Sequence, residues 1–134
     1  GDEHKSQVQS RARVPVNWMG AVAPERIPEI DRSAHVLFSA DLNPACPTSV
    51  IEAMSCGLPV VVTPVGYVQK YVEHKFNGFI FPFRNSERLY LILKMLVKDA
   101  PLRKEVGRNA RTTILQKHSW QKTAEGIADI LKRF

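Results

Sequence analysis

Residues 59–64 read Pro-Val-Val-Val-Thr-Pro, and few folds accept such a segment. Four consecutive β-branched residues favour a strand, because each loses side-chain freedom against a preceding helical turn. The run does not alternate apolar with polar residues, so neither of its faces suits water. A short strand of this kind is buried on both faces, as in a parallel sheet covered by helices on either side. Further strand candidates are Val16–Met19, Val36–Phe38 and Gly78–Phe81, with this one at Val60–Thr63.

Helical patterns separate the strands. Ser49–Cys56 reads as a short helix closed by Gly57 at its C′ position. Val68–His74 is a second candidate. In Arg88–Lys98, helical spacing puts Leu89, Ile92, Leu93, Leu96 and Val97 on one face. Leu102, Val106, Ala110 and Ile114 recur at intervals of four. Ser119 is placed to cap a last helix, with Ala124, Ile127, Ala128 and Leu131 facing inward. Strands alternating with helices imply a three-layer α/β domain with a parallel sheet. In such sheets ligands bind beyond the carboxyl ends of the strands, here the loops after Phe38, Thr63 and Phe81.

At 134 residues the chain fits one domain, 1–134, with a helical tail over 86–134 and enough length for a hydrophobic core. The net charge of +6 suits anionic partners such as nucleotide phosphates or acidic lipid, though a basic solvated surface explains it equally well. No interleaving of aromatic and basic residues marks a nucleic-acid platform, so no nucleic-acid partner is expected. Cys46 and Cys56 form no CxxC pair and lie far from the histidines, so no metal site is expected. They read as buried thiols in a reducing compartment. The polar start is no signal peptide, and no apolar stretch approaches the ~20 residues that span a bilayer. These features point to the cytoplasm, with the cytoplasmic membrane surface as a further option.

The chemistry concentrates in Leu42–Gly66, LNPACPTSVIEAMSCGLPVVVTPVG. A helix starting near Ser49, just past a strand end, offers free backbone N–H groups to a phosphate. Thr63-Pro64-Val65-Gly66 is a second strand-to-helix turn on the same edge, where Gly66 permits unusual dihedrals or a close approach of backbone to ligand. Glu52 has two readings. Ser49-x-x-Glu52 matches a capping box, in which Glu52 returns to the Ser49 N–H and serves stability. Alternatively, its carboxylate accepts hydrogen bonds from a ligand.

The block PTSVIEAMSCGLPVVVTPVG, followed by NGFIFP at residues 77–82, resembles the group 1 (family 4) glycosyltransferases. VNWMGAV, SAHVLFSA and the helical tail from Ser86 resemble further parts of that family, in the same order. The resemblance implies the C-terminal, Rossmann-like, donor-binding domain of a GT-B enzyme, which transfers a sugar from UDP- or GDP-sugar with retention of configuration. It implies that Glu52 holds the ribose hydroxyls, and that amides around Thr48, Ser49 and Val50 face the diphosphate with Thr63 and Gly66 nearby. No cofactor or metal is implied beyond the nucleotide-sugar substrate.

Two departures from the family pattern stand out. The family's E-x7-E pair lacks its first glutamate, because Pro44 occupies that position, so the catalytic residue stays unknown; Asp41 and Asn43 are close but out of register. Tyr67 and Lys70 stand where relatives often carry glycine and glutamate. The family's preceding strand-helix-strand, with its basic diphosphate-binding pair, and an N-terminal acceptor domain are expected in the same or another chain. An alternative reading is a non-catalytic nucleotide-binding or interaction module. A dinucleotide oxidoreductase is disfavoured, since no GxGxxG follows a strand.

Overall fold

A computed structural model describes residues 2–42 and 47–134. Its centre is a parallel sheet of β1 (Leu37–Ser39), β2 (Val60–Val62) and β3 (Phe79–Ile80), in that order. Leu37 pairs with Val60 and Ser39 with Val62, while Val61 pairs with Phe79 and Val62 with Ile80. The three valines of β2 are buried, and they alternate between two cores. Val60 and Val62 pack with Val50, Ala53, Met54, Val68, Ala110 and Ile114. Val61 packs on the opposite face with Phe79, Phe81, Ile92, Leu96 and Val106. These two cores make the three layers that the β-branched run implied.

The helices are α1 (Asp2–Arg11), α2 (Ile27–Ser33, preceded by a 3-10 turn at Pro24–Arg26), α3 (Thr48–Ser55), α4 (Val68–Tyr71), α5 (Ser86–Lys98), α6 (Ala100–Lys117) and α7 (Trp120–Leu131). α3 ends in a Schellman arrangement: Gly57, at φ +78°, donates its N–H to Met54 O, and the Leu58 N–H reaches Ala53 O at 3.0 Å. Asn85 caps α5 through Oδ1, which accepts the Arg88 N–H at 2.8 Å. Asp99 ends α5 and caps α6, its Oδ1 accepting the Leu102 N–H at 2.8 Å. Ser119 caps α7 by accepting the Lys122 N–H at 3.3 Å. Two α6 arginines close other helices: Arg103 donates to the carbonyls of Leu96 and Val97, and Arg111 to that of Ser55.

The loop from α4 to β3 is held from inside. The buried Asn77 amide donates to Tyr71 O and Thr113 Oγ1, while its Oδ1 accepts the Glu73 N–H at 2.7 Å. His74 Nδ1 accepts the Ile80 N–H at 2.9 Å, so the ring serves β3 in its neutral form. Burial, with Lys75 and Arg88 nearby, holds this imidazole below its ordinary pKa.

Several expectations fail for identifiable reasons. Val16–Met19 forms no strand; among the described residues no strand lies alongside to pair its N–H and C=O groups. Val97 is 69% exposed, because the apolar stripe of α5 that reaches the core narrows to Leu89, Ile92, Leu93 and Leu96. α7 is capped where expected, yet its inward residues are not inside: every residue from Trp120 to Leu131 is exposed, Ile127 and Leu131 included. Its amphipathic pattern is real, but no described element covers the apolar side. Val68–His74 shortens to one turn because Val72 turns extended. Cys56 is half-buried rather than buried, and Cys46 lies outside the described residues.

α6 lies on α3 through two glycines. A Cβ on Gly107 would sit 2.0 Å from the Gly57 carbonyl oxygen, so only hydrogen fits there. Gly107→Ala should therefore destabilise the protein by at least about 1–3 kcal/mol in urea unfolding. Gly126→Ala, in exposed α7 with nothing within 4 Å, should stabilise α7 by about 0.5–1 kcal/mol. Equal midpoints for the two variants would contradict this packing.

Candidate functional site

Parallel strands bring their carboxyl ends to one edge, where Ser39, Thr63 and Phe81 lie side by side. The loop leaving β1 is tied to β2 there. Thr63 Oγ1 donates to Asp41 O at 2.6 Å, the Thr63 N–H to Ser39 O at 3.2 Å, and Ser39 Oγ to Asp41 Oδ2 at 2.5 Å. Thr63 is only 2% exposed, so its hydroxyl positions the Asp41 loop. A cavity of about 200 Å³ opens beside it, lined by Ala40, Leu42, Thr63, Phe81, Arg84, Asn85, Ser86 and Leu89. Arg84 holds a left-handed backbone, at φ +54°, and brings a cation to the strand ends. Sequence reasoning missed it; its position two residues after NGFIFP was the available signal.

α3 starts on this side of the sheet. Pro47 is its N-cap residue, with no side-chain cap, and the Val50 N–H bonds Pro47 O at 3.0 Å. Thr48 and Ser49, in the exposed first turn, present the remaining open amides, while the Val50 side chain is buried in the core. The capping box does not form. Helix entry at Thr48 places Ser49 inside the first turn and Glu52 a full turn along, out of reach of the Ser49 N–H. Among the described residues nothing bonds the exposed Glu52 carboxylate. Gly66, at φ +51° and exposed, turns the chain from β2 into α4. Lys70 Nζ sits 4.7 Å from the Tyr67 ring centroid beside that turn. Pro44 lies outside the described residues, as does any geometry of the missing glutamate.

Glu52 stands between two cavities. One, of about 370 Å³, is lined by Thr48, Ile51, Glu52, His118, Trp120 and Thr123. Trp120 is 89% exposed there, and His118 Nε2 is buried without a hydrogen-bond partner. The other, of about 80 Å³, joins Glu52 to Asp31, with Pro24, Ile27, Pro28, Ser55 and Cys56 as its remaining wall. Asp31 is 8% exposed and its Oδ2 has no partner. Burial first, and the Glu52 charge second, push the Asp31 carboxyl above its ordinary pKa. So Thr48 and Glu52 share one cavity, Thr63 borders another, and Gly66 and Ser49 are exposed but line neither. His118, Trp120 and Asp31 carried no motif and became visible only when α2 and α6 packed on α3.

The raised Asp31 pKa sets a sign for stability. The folded state binds this proton more tightly than the unfolded chain does, so the contribution is complete below the unfolded value of about 3.9. It is lost as pH rises through the folded value. Asp31→Asn should remove that loss and raise the melting temperature near neutral pH relative to the parent, with the two converging in acid. Parallel stability curves for the two proteins would contradict it.

Residues 3–113 match the family model described as Glycosyl transferases group 1. An uncharacterized glycosyltransferase of Methanocaldococcus jannaschii is 26% identical over 125 residues, covering 92% of this chain and 32% of that protein. Sucrose-phosphate synthase from Thermosynechococcus elongatus superposes with a TM-score of 0.90 at 21% identity, over 98% of this chain and 33% of that one. Anabaena HepE, solved in complex with UDP-glucose, gives 0.84 at 25% identity, over 99% and 36%. The chain thus spans about a third of the length of the proteins it matches.

Proposed function

The chain belongs to the group 1 glycosyl transferases, and from that premise we propose that it is the donor-binding part of a retaining enzyme that transfers a hexose from UDP- or GDP-sugar. The observation that carries this reading is the exposed Glu52 carboxylate, unbonded among the described residues, one turn beyond the open amides of Thr48 and Ser49. A carboxylate so placed accepts both ribose hydroxyls, and the helix start faces a diphosphate. Gly66 lets the second turn approach the same ligand. HepE binds UDP-glucose on a matching fold, which supports a nucleotide-sugar here. Catalysis then rests on holding the donor and stabilising the departing diphosphate, without a metal. Arg84 supplies a cation beside the strand ends for that charge.

The acceptor-binding domain, in the same or another chain, completes the cleft in this reading, and cytoplasmic action at a membrane surface fits the net charge of +6. No described helix is long and apolar enough to cross a membrane. One observation favours a second reading, a nucleotide-binding module without transfer. Tyr67 and Lys70 close on each other in a cation–π contact beside Gly66. Turnover of nucleotide-sugar by the intact protein separates the two readings.

Glu52→Gln should weaken UDP or GDP binding about ten- to a hundredfold, the equivalent of a charge-assisted hydrogen bond of about 1.5–3 kcal/mol. Stability should shift by no more than about 0.5 kcal/mol, because Glu52 caps nothing. Calorimetric titration and thermal melts on the intact protein measure both; a melt that drops while affinity holds would return Glu52 to a structural role. Gly66→Val should likewise impair binding, by crowding the turn and straining its positive φ. An unchanged dissociation constant would show that the ligand stays away from that turn.

A further inference from the structure

We propose that Asp31 is a positioning residue for Glu52: through the small cavity the two share, its carboxyl orients the Glu52 carboxylate and makes nucleotide-sugar binding pH-dependent. The proposal rests on the donor reading of Glu52 and adds a control to that site.

The geometry is specific. Asp31 is 8% exposed, and its Oδ2 is fully buried without a hydrogen-bond partner. A buried carboxyl oxygen in that condition destabilises a fold, and no hydrogen bond among the described residues offsets that cost at Oδ2. It borders an 80 Å³ cavity whose other polar wall is Glu52 and Ser55 of α3. That space accommodates one or two waters between the carboxyl groups. Glu52 is otherwise untethered, so Asp31 is the one described acid that meets it across a shared space. α2 and α3 are packed together, which fixes the separation of the pair.

The remaining charged groups around Asp31 lie on its other side. A cavity of about 440 Å³ borders Asp31 there, with Arg32 of α2, His35 ahead of β1, Cys56 after α3, and Arg103 and Lys104 of α6. Arg103 is committed to the carbonyls of Leu96 and Val97, and among the described residues no cation forms an ion pair with Asp31. Burial and Glu52 prevail over these cations, and the carboxyl keeps its proton above the ordinary range.

A protonated Asp31 donates toward Glu52 through water in the shared cavity and adds no charge. Ionised, it faces Glu52 with a second negative charge while the donor brings a diphosphate to the same neighbourhood. Binding is therefore tightest below the Asp31 midpoint and weakens as pH rises through it. The expected loss across that midpoint is about three- to tenfold in affinity.

The test is calorimetric titration of the intact protein with UDP-glucose and GDP-mannose from about pH 4, near the ordinary aspartate value, to about pH 8. Their esterified diphosphates do not titrate in that range. The parent should lose affinity with rising pH. Asp31→Asn, neutral and still a donor, should bind with a flat profile and match or exceed the parent at the alkaline end. Asp31→Ala, without a donor, should be flat and weaker. His35→Asn and His118→Asn, which remove the imidazoles lining the cavities beside Asp31 and Glu52, should each keep the parent's slope. A flat parent, or an Asp31→Asn profile with the parent's slope, overturns the proposal while leaving the donor reading intact. Absence of any binding by the parent overturns the donor reading, and the proposal with it. A second readout needs no ligand: the carbon-13 signal of the Asp31 carboxyl should titrate above the ordinary aspartate range, and its midpoint should fall in Glu52→Gln. An unmoved midpoint overturns the pairing.

Discussion

Gly57 and Gly107 hold the two central helices of one layer in backbone contact. α3 ends at Gly57 in a left-handed turn, and α6 passes so close that a methyl group on Gly107 would strike the Gly57 carbonyl. This approach sets where α6 runs, and so where His118 and Trp120 arrive beside Thr48 and Glu52. It also seats Ala110 and Ile114 against Val50, Ala53 and Met54, the buried side of the helix whose exposed side carries Glu52. A core this close-packed leaves α3 little freedom, which suits the ribose contact proposed for Glu52.

Glu52 illustrates how a two-residue difference in the N-cap position changes a functional argument. With Ser49 as N-cap, the carboxylate would be part of the cap. With Pro47 as N-cap, it stands a full turn into the helix, and no described residue bonds it. Pro47 supports the earlier entry: its ring presets φ, and its carbonyl accepts the Val50 N–H. Thr63 shows the converse. Its strand-end position suggested ligand contact, yet its hydroxyl is spent on Asp41 O and it shapes the strand-edge cavity indirectly.

Much of the architecture was legible because it depends on local chemistry. The valines of β2, the Gly57 helix end and the Ser119 cap each follow from side-chain shape or hydrogen bonding within a few residues. Parallel pairing followed from strands alternating with helices. Failures came where an element's fate depends on a neighbour. Val16–Met19 has strand composition but no partner strand among the described residues, and α7 has an inward stripe with nothing to meet it. α1 escaped notice because its polar sequence carries no apolar period.

The sequence by itself determined the class of the chain. A doubly apolar strand, alternating helices and the EAMSCGLPVVVT block lead to a parallel α/β domain of the group 1 family. Tertiary structure decided what Glu52 is free to do and which groups share its surroundings. Asp31 is 21 residues away along the chain, and His118 is 66. No periodicity or motif links such positions. They meet because α2 and α6 pack on α3, and side chains brought together by packing leave no local signature in sequence.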